Sequence, residues 1–128
     1  FIEKRTILAE RYTELLKDNK YLIPLSKVDY PIKHAWHLFI VKLEIDNVAI
    51  TRDELMRKLS EEKIGSGLHY TAIHHHEYYK KKYKCKREDF PNSSFCSDRI
   101  FSIPLFPSLS EKDQKKVTEV IENILNNV

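Results

Sequence analysis

Apolar residues recur at helical spacing at both ends of the chain and cluster into short runs between them. The opening stretch FIEKRTILAERYTELLKDNK places Leu8, Tyr12 and Leu15 on one stripe with charges opposite, which predicts a helix from about Glu3 to Leu16. A loop carrying Pro24 and Pro31 should follow, because neither proline fits a helix interior. HAWHLFIVKLEI is rich in aromatic and β-branched residues and predicts a largely buried strand.

Thr51-Arg52-Asp53-Glu54 has capping-box spacing, and Leu55, Met56 and Leu59 supply the buried face of the helix it opens. Gly65 is the natural left-handed stop for that helix. Leu68 to Tyr70 reads as a short strand, followed by a helical turn through the tyrosines. Phe90-Pro91-Asn92 signals a helix entry with Asn92 as its cap. RIFSIPLF reads as a short edge strand ended by Pro104 and Pro107. Ser110 then caps the clearest helix, whose apolar seam runs through Val117, Val120, Ile121, Ile124, Leu125 and Val128. The expected order is α, β, α, β, α, β, α. The fold class is α+β, with a small antiparallel or mixed three-stranded sheet packed against helices.

Length and charge narrow the picture. The chain has 128 residues, enough for one modest core, and no apolar run approaches a membrane span. A net charge of +3 does not demand a polyanionic partner. Cys85 and Cys96 lack CxxC spacing and read as two reduced thiols of a cytoplasmic protein. The chain opens on Phe1 in the middle of a helical pattern, as a piece of a longer protein would.

Candidate chemistry concentrates in GSGLHYTAIHHHEYYKKKYKCK, Gly65 to Lys86. Zinc fits poorly: consecutive His74, His75 and His76 point about 100° apart on a helix and alternate on a strand. No metal site is expected. Nucleic acid is also not expected. Lys80 to Lys82, Lys84, Lys86 and Arg87 interleave with Tyr79 and Tyr83, but Glu77, Glu88 and Asp89 dilute the patch. A solvated helix end explains the run better. The remaining reading is half of a pocket, with His and Tyr presenting polar tips beyond a helix-stopping glycine.

The order of motifs resembles the DegT/DnrJ/EryC1/StrS family of sugar-nucleotide aminotransferases. KIGSGLHYTAIHHHEYY is similar to its G-I-G-T-x-V-H-Y-x-P-x-H-x-x-P-Y-Y segment. Ile64, Gly65, His69, Tyr70, His74, Tyr78 and Tyr79 match, and Ser66 and Leu68 are conservative replacements. FPNSSFCSDRIFSIPLFPSLSEKDQKKV resembles F-P-N-A-E…L-S-L-P-L-F-P-x-L-T-x-x-D-Q-x-x-V, and HAWHLFIVKL resembles H-x-x-H-L-F. Ala72 and Glu77 depart from it, standing where the family has proline.

The resemblance implies a fold-type-I, pyridoxal-phosphate-dependent enzyme. It would act as a homodimer and move an amino group from glutamate to a nucleotide-linked keto-sugar. Residues 1–20 would be the end of an inter-domain helix and 21–128 the C-terminal small domain. The large domain would carry the Schiff-base lysine and most cofactor contacts, so no catalytic residue is assigned here. His69, Tyr70 and His74 would bind the sugar-nucleotide, unless His69 and Tyr70 only brace the sheet against the large domain. The competing reading is a free-standing sugar-nucleotide-binding module without chemistry.

Overall fold

The computed structural model describes residues 1–128. In chain order the elements are α1 (Ile2–Leu15), β1 (Leu22–Pro24), β2 (Phe39–Leu43), α2 (Arg52–Glu61), α3 (Glu77–Tyr83), α4 (Pro91–Arg99), β3 (Ile100–Ile103) and α5 (Glu111–Asn126). Single 3₁₀ turns occupy Ile73–His75 and Arg87–Asp89. The sheet is antiparallel throughout, in the order β1-β2-β3.

Leu22 pairs with Leu43, Val41 with Phe101 and Phe39 with Ile103, so these six apolar side chains share one face of the sheet. Leu8 and Tyr12 of α1, Leu55 and Leu59 of α2, and Val117, Ile121 and Leu125 of α5 close the core over that face. Side-chain alternation sends Lys42 and Ser102 to the opposite face, where α4 packs and Phe95 lies 5.8 Å from the Lys42 ammonium. The candidate segment Gly65–His76 reaches this second face through a bridge between Gly67 and Ser102.

Helix ends follow local chemistry. The Thr51 hydroxyl accepts from the Glu54 N–H while the Glu54 carboxylate accepts from the Thr51 N–H, closing the capping box. At the other end of α2 the left-handed residue is Lys63 (φ 60°), not Gly65. Ile64 N–H returns to Leu59 O and Lys63 N–H to Ser60 O, so the chain has already turned before the glycine is reached. Ser110 caps α5 by accepting from Asp113 N–H. Asn92 is not a cap, because α4 starts one residue earlier with Pro91 in its first position and Phe90 before it.

The strand expected at Leu68–Tyr70 does not form. Only the Gly67 bridge pairs with β3, and the third strand is β1, in the stretch read as loop. The Asn19 side chain accepts from the Tyr21 and Leu22 N–H groups and turns the chain into β1. Pro24 is tolerated because it ends an edge strand, where no ladder donor is required. The strand read through HAWHLFIVKLEI is confined to Phe39–Leu43. Before it, the Trp36 N–H donates to His34 Nδ1 and Trp36 adopts φ 47°, a turn rather than extended backbone. Leu16 is buried where Leu15 was expected, and Val128 lies exposed beyond the end of α5. Cys85 and Cys96 are both free thiols.

Candidate functional site

Loop Gly65–His76 is held by three serines. Gly67 exchanges two backbone hydrogen bonds with Ser102 (N to O 3.0 Å, O to N 2.8 Å). The His69 side chain folds back over this bridge, placing Nε2 2.8 Å from Ser102 Oγ. A Cβ at Gly67 would lie 2.5 Å from that Nε2 and 2.9 Å from Ser102 Oγ, so the close approach needs glycine. Tyr70 follows, its ring edge-on to His69 at 5.5 Å between centroids and 79 % exposed. The His69–Tyr70 peptide is cis.

The second half of the loop is anchored to α4. Ala72 N–H donates to Ser97 Oγ at 3.0 Å. His74 is only 6 % exposed, with Nε2 2.8 Å from Ser94 Oγ and its ring 4.9 Å from Phe90. His75 Nε2 lies 3.0 Å from the same hydroxyl, which itself donates to Arg87 O at 2.9 Å. Burial holds the His75 pKa below the ordinary imidazole range, with Arg87 and then His74 adding to the effect. Two neighbouring histidines thus reach one point, because the 3₁₀ turn at Ile73–His75 brings successive side chains together; His76 stands apart, exposed at the start of α3.

The three anticipated residues therefore have different situations. Tyr70 offers its ring freely, His69 is half-buried against Ser102, and His74 is buried in the anchor. Sequence reasoning missed Ser94, Ser97 and Ser102. The first two lie three residues apart and so face the same side of α4, and Ser102 alternates with the core residues of β3; both spacings were readable once the elements were known. Arg52 was missed too. It is buried, and its guanidinium donates to Ser97 O at 2.5 Å and Ile100 O at 3.2 Å, closing the C-terminal end of α4. The basic run stays solvated: α3 buries none of its residues, and Lys82 rests over the rings of Tyr78 and Tyr83.

Residues 1–122 match the model of the DegT/DnrJ/EryC1/StrS aminotransferase family. The chain belongs to that family. A DegT DnrJ EryC1 StrS aminotransferase from Brucella abortus is 32 % identical to it, with a TM-score of 0.74 over 97 % of this chain and 31 % of that one. Helicobacter pylori PseC, an aminotransferase involved in the biosynthesis of pseudoaminic acid, shares 17 % identity and the fold (TM-score 0.82, 99 % of this chain, 33 % of that one). Spr1654 of Streptococcus pneumoniae, described as a sugar aminotransferase and solved in its PLP form, shares 18 % identity and the fold (TM-score 0.85, 99 % and 32 %). The chain spans about a third of the length of these structures.

Family membership raises the question of pyridoxal phosphate. A site for it needs a lysine enclosed against the cofactor, a carboxylate facing the pyridine nitrogen and a cradle for the phosphate. No lysine here is buried, and those on α3, which follows the candidate loop, are exposed. The residues of this chain do not by themselves fit the cofactor. The arrangement they do make is a rigidly backed loop presenting a tyrosine and an imidazole, suited to orienting a polar ligand.

Proposed function

We propose that this chain is the C-terminal small domain of a pyridoxal-phosphate-dependent aminotransferase that moves an amino group from glutamate to a nucleotide-linked keto-sugar. In this reading residues 1–20 end the inter-domain helix, residues 21–128 form the small domain, and the enzyme works as a cytoplasmic homodimer. Residues outside these 128 hold the cofactor, which supplies the electron sink for the amino transfer. The family match over residues 1–122 carries the reading.

Within it, Tyr70 and His69 face the sugar-nucleotide, and His74 fixes the loop from beneath. A hydroxyl and an imidazole whose partners are completed only by the correct ligand discriminate strongly against analogues lacking those groups. Ser102 limits the freedom of the His69 ring, so little orientation is lost when ligand binds.

The test is the absorption spectrum of the protein expressed from its native reading frame, before and after glutamate. An aldimine band that converts to the pyridoxamine form supports the proposal. Absence of any cofactor band, together with binding of a sugar-nucleotide, would establish the free-standing binding module instead.

A further inference from the structure

The Ser94 hydroxyl is saturated. It has one proton and two lone pairs, and it meets three groups: Arg87 O at 2.9 Å, His74 Nε2 at 2.8 Å and His75 Nε2 at 3.0 Å. A carbonyl oxygen cannot donate, so the serine proton goes to Arg87 O. Both lone pairs are then left to accept, and each imidazole must carry its proton on Nε2. Neither ring has a hydrogen bond at Nδ1 within the chain.

We infer that Ser94 is a positioning residue of the proposed ligand site. Its hydroxyl sets His74 and His75 together as Nε2–H tautomers, leaves both Nδ1 atoms as acceptors, and so ties the loop carrying His69 and Tyr70 to α4. The functional half of this inference rests on the sugar-nucleotide reading above; the tautomer half does not.

The surroundings of the two rings differ. His74 packs on Phe90, an apolar neighbour. His75 faces the cations Arg87 and Lys80, which oppose its protonation, and Asp98, which favours it. Arg87 is ion-paired to Asp98, so the carboxylate is already engaged. α4 gives Ser94 a fixed backbone, since Arg52 closes one end of that helix and Pro91 opens the other. A hydroxyl on a helix locked at both ends imposes its geometry on the 3₁₀ turn rather than following it.

The experiment is long-range proton–nitrogen NMR of the imidazoles, in the chain and in Ser94→Ala and Ser94→Thr, at a pH above the ordinary imidazole range. The inference expects Nε2–H tautomers for His74 and His75 in the parent, loss of that uniform state in Ser94→Ala, and its return in Ser94→Thr, which restores the hydroxyl. An Nδ1–H tautomer at either ring of the parent, or tautomers unchanged in Ser94→Ala, overturns it. Titration of the protein expressed from its native reading frame, and of the same two variants in it, with uridine and thymidine 5′-diphosphate, followed at the Tyr70 amide, reads the positioning role. Affinity should fall about fivefold in Ser94→Ala, the equivalent of one neutral hydrogen bond, and recover in Ser94→Thr. Equal affinity in all three proteins overturns the positioning role. No binding by the parent removes the sugar-nucleotide reading instead, and the tautomers still decide the chemistry of Ser94.

Discussion

His69 Nε2 and Ser102 Oγ stand 2.8 Å apart directly above Gly67, whose missing side chain makes room for them. Gly67→Ala places a methyl where the His69 ring now lies, so the ring must swing away, and losing its hydrogen bond to Ser102 should cost about 0.5–1.5 kcal/mol. Gly65 is the control, because a Cβ there meets nothing within 4 Å and its φ is not positive. Gly65→Ala should be neutral or gain about 0.5 kcal/mol through the unfolded chain. Urea midpoints of the two variants check this; equal effects would show that the close approach at Gly67 is relieved elsewhere.

Arg52 ties α2 to the end of α4 through Ser97 O and Ile100 O. Arg52→Ala removes the donor to the buried Ser97 carbonyl and the contact to Ile100 O, and should destabilise by about 1–3 kcal/mol. Arg57 makes only an exposed pair with Glu61, one turn away, and Arg57→Ala should cost no more than about 0.5 kcal/mol. Chemical denaturation of both proteins gives the comparison.

Tyr12 is wholly buried 5.1 Å from Phe39, and its hydroxyl has no hydrogen-bond partner. Burial, with a smaller contribution from Asp113, holds the phenol pKa far above its ordinary value. Tyr12→Phe removes an unsatisfied polar atom without opening a cavity. It should leave stability unchanged or raise it by up to about 1 kcal/mol, read from the thermal midpoint. A clear loss would mean that the hydroxyl has a partner in solution.

The Glu54 carboxylate has a pKa below its ordinary 4.5, first because it accepts the Thr51 backbone N–H and then because it accepts the Thr51 hydroxyl. A carboxyl that is more acidic when folded stabilises above its unfolded pKa and loses that contribution as pH falls through the folded value. Glu54→Gln should therefore be less stable than the parent at neutral pH, with the difference closing in acid as the pH falls below the ordinary carboxyl value of 4.5 and through the lower folded one. Urea midpoints measured across that range decide it, and a gap that does not change with pH would remove the charge from the explanation.

Between the first half of α1 and the loop before β2 runs a groove of about 660 Å³, lined by Ile2, Ile7, Val28, Tyr30, Ile32 and Trp36 among others. An apolar face of this kind favours association when nothing covers it. Sedimentation of the 128-residue chain should show weak, concentration-dependent association that Ile7→Lys abolishes. A monomer at millimolar concentration would count against an exposed docking face.

Much of this was legible in the chain itself. Helices α2 and α5 announce themselves because their caps, Thr51 and Ser110, and their apolar stripes are local properties, set by residues three or four apart. The same holds for the alternation that buries Phe39, Val41 and Leu43, and for the family motifs that singled out His69, Tyr70 and His74. What the chain could not show was which segment would become the third strand. Leu68–Tyr70 has strand-like composition, yet only Gly67 bridges β3, and Leu22–Pro24, on the other side of β2, is the third strand. Nor could it show that the histidine run would be divided, with His74 and His75 turned onto Ser94 and His76 left outside. Those outcomes depend on α4 lying across the second face of the sheet, 19 residues from His75 in sequence at its Ser94 contact. A hydroxyl proton shared among groups so far apart in the chain is decided only when tertiary packing brings them within hydrogen-bond reach.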